Sequence, residues 1–275
     1  MKTKSSLSRA GRAGFTLVEV MISMTIVVLT LGLTMSTFLY GLKIMYKDAQ
    51  RLATNASLRS FMAQISKETL DASYFYLFDS YTKLDGSVNL ATDYAALAFI
   101  DAADDDYDKW VAHGDCLVLI TKTSLYRTSD IRQIRVYYRV TTNQAAVNQE
   151  APLRYYETAD WGEGPVPNDP DPLGLNPTLT NGHSDVATAL NAINLNSNPL
   201  LAGSKLLNAR CKGRKVPSPY TPYAAGDLFP VFSSESPSAS ATNGFISINV
   251  EFINGTTINN LLSSSSFNYT ISPRR

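Results

Sequence analysis

The sequence predicts an α+β protein. One long N-terminal helix, with a membrane-spanning half and an amphipathic half, should pack on an antiparallel β-sheet domain that carries a long loop insertion. Three observations predict this. Residues 20–42 are 23 positions without a charge. Beyond them Leu58, Phe61, Met62 and Ile65 recur at spacings of three and four, the signature of one buried helix face. Further on, short runs rich in Val, Ile, Tyr and Phe are bounded by Asp, Gly, Asn or Pro, as strands are.

The first segment is read from its length. As a helix, 23 residues span about 34 Å, enough for a hydrocarbon core of roughly 30 Å. The preceding residues 1–14 hold Lys2, Lys4, Arg9 and Arg12 and no acid. This basic leader predicts a cytoplasmic N-terminus under the positive-inside rule, although Lys43, Lys47 and Arg51 follow on the other side. A cleaved secretory signal fits poorly, because the apolar stretch is too long and no small-x-small site closes it. The whole chain of 275 residues balances 24 Lys+Arg against 24 Asp+Glu. Without the leader, 20 basic groups face 24 acidic ones, a formal −4. That balance argues against wholesale nucleic-acid wrapping. Two cysteines exclude a disulfide scaffold, a cysteine-ligated iron–sulfur cluster and an all-cysteine zinc site.

One residue breaks the apolar pattern. Glu19 sits four positions after Phe15. A carboxylate at membrane depth is expensive and is usually retained for a reason; at the headgroup level it would cost little and do nothing. Its neighbours, Arg12-Ala13-Gly14-Phe15-Thr16-Leu17-Val18-Glu19-Val20-Met21-Ile22, resemble the prepilin-type cleavage and methylation signature of type IV pilins and type II secretion pseudopilins. The resemblance implies cleavage between Gly14 and Phe15 by a prepilin peptidase, N-methylation of Phe15, and a role for Glu19 in assembly. There its carboxylate would pair with the amino group of a neighbouring subunit's Phe15. A buried acid is tolerable when a cation meets it. The apolar helix lacks the proline common in major pilins, which points to a minor subunit. Glu19 itself argues against the tip pseudopilin of type II secretion, which typically lacks that acid.

The helix should run on to about residue 71, since no proline occurs before Pro152. Its outer half, residues 43–71, should lay a stripe of Leu58, Phe61, Met62 and Ile65, extended by Leu52, against the sheet. The resemblance implies the same lollipop shape. Strands are expected over residues 94–100, 116–122, 133–140, 153–157, 245–253 and 267–271. In the third of these, Ile134, Val136 and Tyr138 alternate with Arg135, Tyr137 and Arg139, so it should bury one face and wet the other. Asn254-Gly255 marks a turn. These outer runs are similar to those of the larger, J-like or W-like minor pseudopilins.

Within the domain of residues 72–275, residues 159–240 hold 11 of the 13 prolines and few aliphatic runs. They read as an irregular insertion with a short helix at 186–195: a bland surface segment or a partner-binding loop. Candidate chemistry is sparse. Asp104, Asp106 and Asp108 have D-x-D-x-D spacing, with Asp115 at the twelfth place of a calcium loop. Lys109 replaces the glycine of that loop and Asp115 replaces its glutamate, so a solvated acidic loop is preferred and no cofactor is expected. Cys116 and Cys211 would lie in an oxidising compartment, either bridged or as buried thiols. Arg210, Lys212, Arg214 and Lys215 form one basic cluster with few aromatic residues to stack bases, so nucleic acid is an unlikely partner. His183-Ser184-Asp185 adjacency makes no triad, since such groups meet in space.

The sequence reading is therefore a non-enzymatic minor pilin or pseudopilin. It would sit as a single-pass inner-membrane protein with a periplasmic domain, then in a type IV-like filament, aiding initiation or tip structure. Expected partners are other pilin subunits, the prepilin peptidase, the inner membrane and the assembly platform. Two rivals stand beside it: a signal-anchored periplasmic enzyme, and an adhesin or DNA-binding pilin displayed on the filament.

Overall fold

The computed structural model describes residues 14–89, 98–100, 109–122, 131–141, 150–158, 186–196, 203–213, 229–236, 245–254 and 263–272. The chain divides into two compact units, the first ending at Ala49 and the second beginning at Gln50.

A single helix, α1 (Leu17–Asp71), of 55 residues contains both expected segments. Its first part is long and apolar enough to cross a membrane, and its large apolar side chains are exposed. From Gln50 on, the helix belongs to the second unit. There Thr54, Leu58, Phe61, Met62, Ile65 and Thr69 are buried, one stripe at helical spacing. Leu52 does not extend it: this side chain is 70% exposed. Six positions from Leu58 are about 600° of helical rotation, roughly 120° off the stripe, whereas Thr54 lies four positions away and close to it. The helix ends where the sheet captures its backbone: Ser73 N–H donates to Ile120 O at 2.8 Å.

The strands are β1 (Tyr74–Phe78), β2 (Ala98–Ile100), β3 (Lys109–Gly114), β4 (Cys116–Lys122), β5 (Ile131–Arg139), β6 (Ala151–Glu157), β7 (Lys205–Gly213), β8 (Phe232–Ser236), β9 (Phe245–Asn254) and β10 (Ser263–Ile271), with a short helix α2 (Val186–Asn191) between β6 and β7. They form one antiparallel sheet in the order β1-β4-β5-β6-β7-β9-β8-β3-β2, with β10 on the other side of β9. One residue, Asp115, joins β3 to β4, although the two lie near opposite ends of that order. The sheet must therefore curl, and β1 also lies against β3 and β8. Gly114 permits this closure, because a Cβ there would collide with Phe78 O.

The central strands of the curled sheet are covered on both faces. On one, α1 packs with Leu117, Leu119, Tyr137, Leu153, Ile246, Ile248 and Phe252; the Phe61 ring lies 6.0 Å from that of Tyr137 and 5.5 Å from that of Phe252. On the other, Ala189 and Leu190 of α2, Ile193, Leu195 and Leu84 cover Val118, Ile134, Val136 and Tyr138. The expectation of one wet face on β5 is thus corrected: Tyr137 and Arg139 are as buried as Val136, because α1 covers Tyr137 and Arg139 is closed in by Asp115 and the Phe229 carbonyl. The expected irregular insertion is corrected too. Within residues 159–240, β7 and β8 are integral strands, each hydrogen-bonded to β9. The short helix is present and ends at Asn191.

Candidate processing and assembly site

Residues 14–16, just ahead of α1, are exposed. Phe15 is 86% exposed, and nothing lies within 4 Å of a Cβ built on Gly14. Helical structure begins two residues later, at Leu17. A peptidase that reaches this point meets an exposed, non-helical backbone with a glycine on one side of the peptide bond and an aromatic ring on the other.

Thr16 and Glu19 start the helix together. Thr16 N–H donates to Glu19 Oε2 at 3.0 Å, and the Thr16 hydroxyl donates to the same oxygen at 3.1 Å. Glu19 N–H lies 3.4 Å from Thr16 Oγ1. This is a capping box, the reciprocal closure of the first helical turn by a Ser/Thr and a Glu three positions on. The sequence reading assigned Glu19 and missed Thr16, although Thr16-Leu17-Val18-Glu19 carries the T-x-x-E pattern in plain sight. The capping gives the acid local donors within its own chain, both of them from Thr16.

The hydroxyls that follow are satisfied the same way. Ser23, Thr25, Thr30, Thr34 and Thr37 each donate to a carbonyl three or four residues back, at 2.6–3.1 Å. Polar groups paired within their own helix can enter an apolar medium without the cost of an unmade hydrogen bond.

Residues 9–35 match the prokaryotic N-terminal methylation motif, the prepilin-type signature of type IV pilins and pseudopilins. The chain carries a prepilin-type methylation motif. The matched residues include Gly14, Phe15, Thr16 and Glu19 and run into the apolar part of α1. No curated protein and no solved structure matches the chain.

The other candidates lie elsewhere. Cys116 and Cys211 are separate, wholly buried thiols, so the bridge considered from sequence is not formed. They sit on β4 and β7, with β5 and β6 between them in the sheet order, and in the two different cores. Burial pushes both thiols well up from their ordinary value. Asp104, Asp106 and Asp108 lie outside the described residues, as do His183, Arg214 and Lys215. Asp115, the twelfth place of the calcium spacing, is committed to Arg139. Arg139 Nη2 and Nε donate to Asp115 Oδ2 at 2.7 and 3.0 Å, both side chains being buried. Arg210 and Lys212 are on strand β7 rather than a loop, and the Glu150 carboxylate faces both, at 2.5 and 3.7 Å.

A polar seam ties the outer part of α1 to the sheet. Glu68 accepts from the Tyr137 hydroxyl at 2.6 Å, the Tyr155 hydroxyl at 3.1 Å and Gln64 Nε2 at 3.0 Å. Tyr155 also reaches Glu157, which pairs with Lys205 at 2.8 Å. Burial, and then the neighbouring carboxylates, hold both phenols protonated far above their ordinary range. The hydrogen bond from Lys205 lowers Glu157. These perturbed groups are part of the helix–sheet packing.

Proposed function

We propose that this chain is a minor pilin or pseudopilin. It is cut between Gly14 and Phe15 by a prepilin peptidase, N-methylated on Phe15, and built into a type IV-like filament, where it aids initiation or tip structure. Before assembly the apolar part of α1 spans the inner membrane once, with the leader in the cytoplasm and the sheet domain in the periplasm. Its work is mechanical: α1 packs among the helices of other subunits, and the sheet domain faces neighbours. It needs no cofactor and performs no catalysis.

The observation that carries this reading is the site at the head of α1. An exposed Gly14–Phe15 step is followed at once by a helix whose lone early acid is held by Thr16. Cleavage would turn the Phe15 amide into a cationic amine. Glu19 could then exchange the neutral donors of Thr16 for the cation of an adjoining subunit, and a charge-assisted pair in low dielectric is the stronger partner.

Glu19→Gln separates the two roles, because glutamine keeps a capping oxygen and loses the charge. The expected result is a protein trimmed at Gly14 like the wild type, by mass analysis of its N-terminal peptide, but depleted from sheared filaments. Glu19→Ala should behave likewise. A wild-type N-terminus beginning at Met1 overturns the processing; normal incorporation of Glu19→Gln overturns the charge pairing.

A further inference from the structure

Among the described residues, β10 is an edge strand that lacks the usual sequence protections. Edge strands are normally blunted by lysines, prolines, bulges or shortness, since their unpaired N–H and C=O groups template further pairing. β2, at one end of the sheet, is three residues long. β10 has nine, Ser-Ser-Ser-Ser-Phe-Asn-Tyr-Thr-Ile, with no charge and no proline, and pairs β9 without a register shift. Among the described residues its outer side is paired with no strand. Ser266, Phe267, Asn268, Tyr269 and Thr270 are all exposed.

The direction of each backbone group follows from β9. Asn249 N–H donates to Val231 O at 2.7 Å, away from β10. Its register partner in β10 is Asn268, which therefore turns its own N–H and C=O to the free edge. Alternation adds Ser264, Ser266 and Thr270. The side chains of Ser265, Phe267, Tyr269 and Ile271 lie on the face of Ile246, Ile248, Val250 and Phe252, and Ile271 is buried there with them. Phe267 and Tyr269 continue that apolar face to the edge, each 40% exposed, with ring centroids 6.0 Å apart.

We propose that the free edge of β10 pairs antiparallel with β10 of a second copy of this chain, two-fold about Phe267. The strand is its own complement. Phe267 is the midpoint of β10, so this register overlaps the strand along its full length. It sets Ser264 opposite Thr270 and Ser266 opposite Asn268, and these are the residues that turn their backbone groups outward. Every outward N–H and C=O then finds a partner. Ser265 faces Tyr269, and the two Phe267 rings meet across the axis. No charge is brought opposite a like charge, the penalty that ordinarily forbids self-pairing of edges. The contact is isologous and closes at two copies. It is independent of processing at Gly14.

The register dictates the test. Phe267 points its backbone groups to β9, so the two copies of this residue form a non-hydrogen-bonded pair with Cα atoms about 4.5 Å apart, within disulfide reach. The native thiols are buried and give little background. Full-length protein in detergent micelles, treated with a mild oxidant, should give a covalent dimer with Phe267→Cys at least tenfold faster than with Tyr269→Cys, whose self-pair is out of register. Asn268→Pro in the Phe267→Cys background removes one outward N–H while leaving the β9 ladder whole, a position where an edge strand accepts proline. It should abolish the cross-link with an unchanged circular dichroism spectrum. Equal rates for the two cysteine variants, a cross-link that survives Asn268→Pro, or no cross-link at all overturns the proposal. Dimers held only through α1 would give the first of these results.

Discussion

Replacing Arg139 by methionine tests how the curled sheet is held closed. Arg139 is 1% exposed and Asp115 is wholly buried. The guanidinium makes two hydrogen bonds to Asp115 Oδ2 and a third, at 2.8 Å, to Phe229 O. Asp115 Oδ1 accepts Val231 N–H at 3.1 Å, and Arg139 N–H donates to Asp115 O at 2.9 Å. The pair thus joins the β3–β4 junction, the end of β5 and the segment leading into β8. Burial pushes the Asp115 carboxyl up, and Arg139 and the Val231 N–H pull it back. Removing the cation leaves a carboxylate in the interior with one neutral donor, a loss of about 3–5 kcal/mol. Domains of this kind have only about 5–15 kcal/mol in all. With a urea slope of about 2–3 kcal/mol per molar, the midpoint should fall by about 1–2 M. Urea unfolding of the full chain in micelles, followed by near-ultraviolet circular dichroism, reads the packing of the buried tyrosines. Asp115→Ala should cost a similar amount. The double variant, which buries neither charge, should cost well under the sum of the two. A loss below about 1 kcal/mol for Arg139→Met, or strict additivity in the cycle, would refute the reasoning.

Alkaline stability is a second expectation. The folded values of Tyr137, Tyr155, Cys116 and Cys211 are raised above ordinary values of 10.0 for the phenols and 9.0 for the thiols. Their contribution is therefore complete below about pH 9 and is lost as pH rises above it, because the unfolded chain ionises first. The tyrosinate absorbance of Tyr137 and Tyr155, isolated as the difference from Tyr137→Phe and Tyr155→Phe variants, should then appear together with loss of near-ultraviolet dichroism; normal titration of these two phenols in a still-folded protein would contradict it. The helix stripe supplies a third. Phe61→Ala, at a side chain 3% exposed, should cost about 3–5 kcal/mol, while Leu52→Ala, at one 70% exposed, should stay within about 0.5 kcal/mol in the same urea assay. Comparable losses would mean the buried face is misassigned.

The division between what sequence and fold each decide runs along the range of the interactions. The membrane-length helix, the motif around Gly14, Phe15 and Glu19, and the stripe of Leu58, Phe61, Met62 and Ile65 are local patterns, so they are legible in order along the chain. So are β4, which matches its expected residues 116–122, and most of β5, β6 and β9, where β-branched and aromatic side chains cluster. The capping role of Thr16 was equally local and was overlooked. β7 and β8 were not legible: Lys-Leu-Leu-Asn-Ala-Arg-Cys-Lys-Gly and Phe-Ser-Ser-Glu-Ser have neither clean alternation nor an apolar run. They are strands because β9 offers them a ladder, and β10 starts at Ser263 rather than Phe267 for the same reason. The burial of Tyr137 and Arg139, the separation of Cys116 from Cys211 and the engagement of Asp115 likewise depend on partners tens of residues away. Side-chain pattern determines an element where its neighbours lie within a few turns of helix. Strand order, and which groups are left without water, are decided only when distant segments meet.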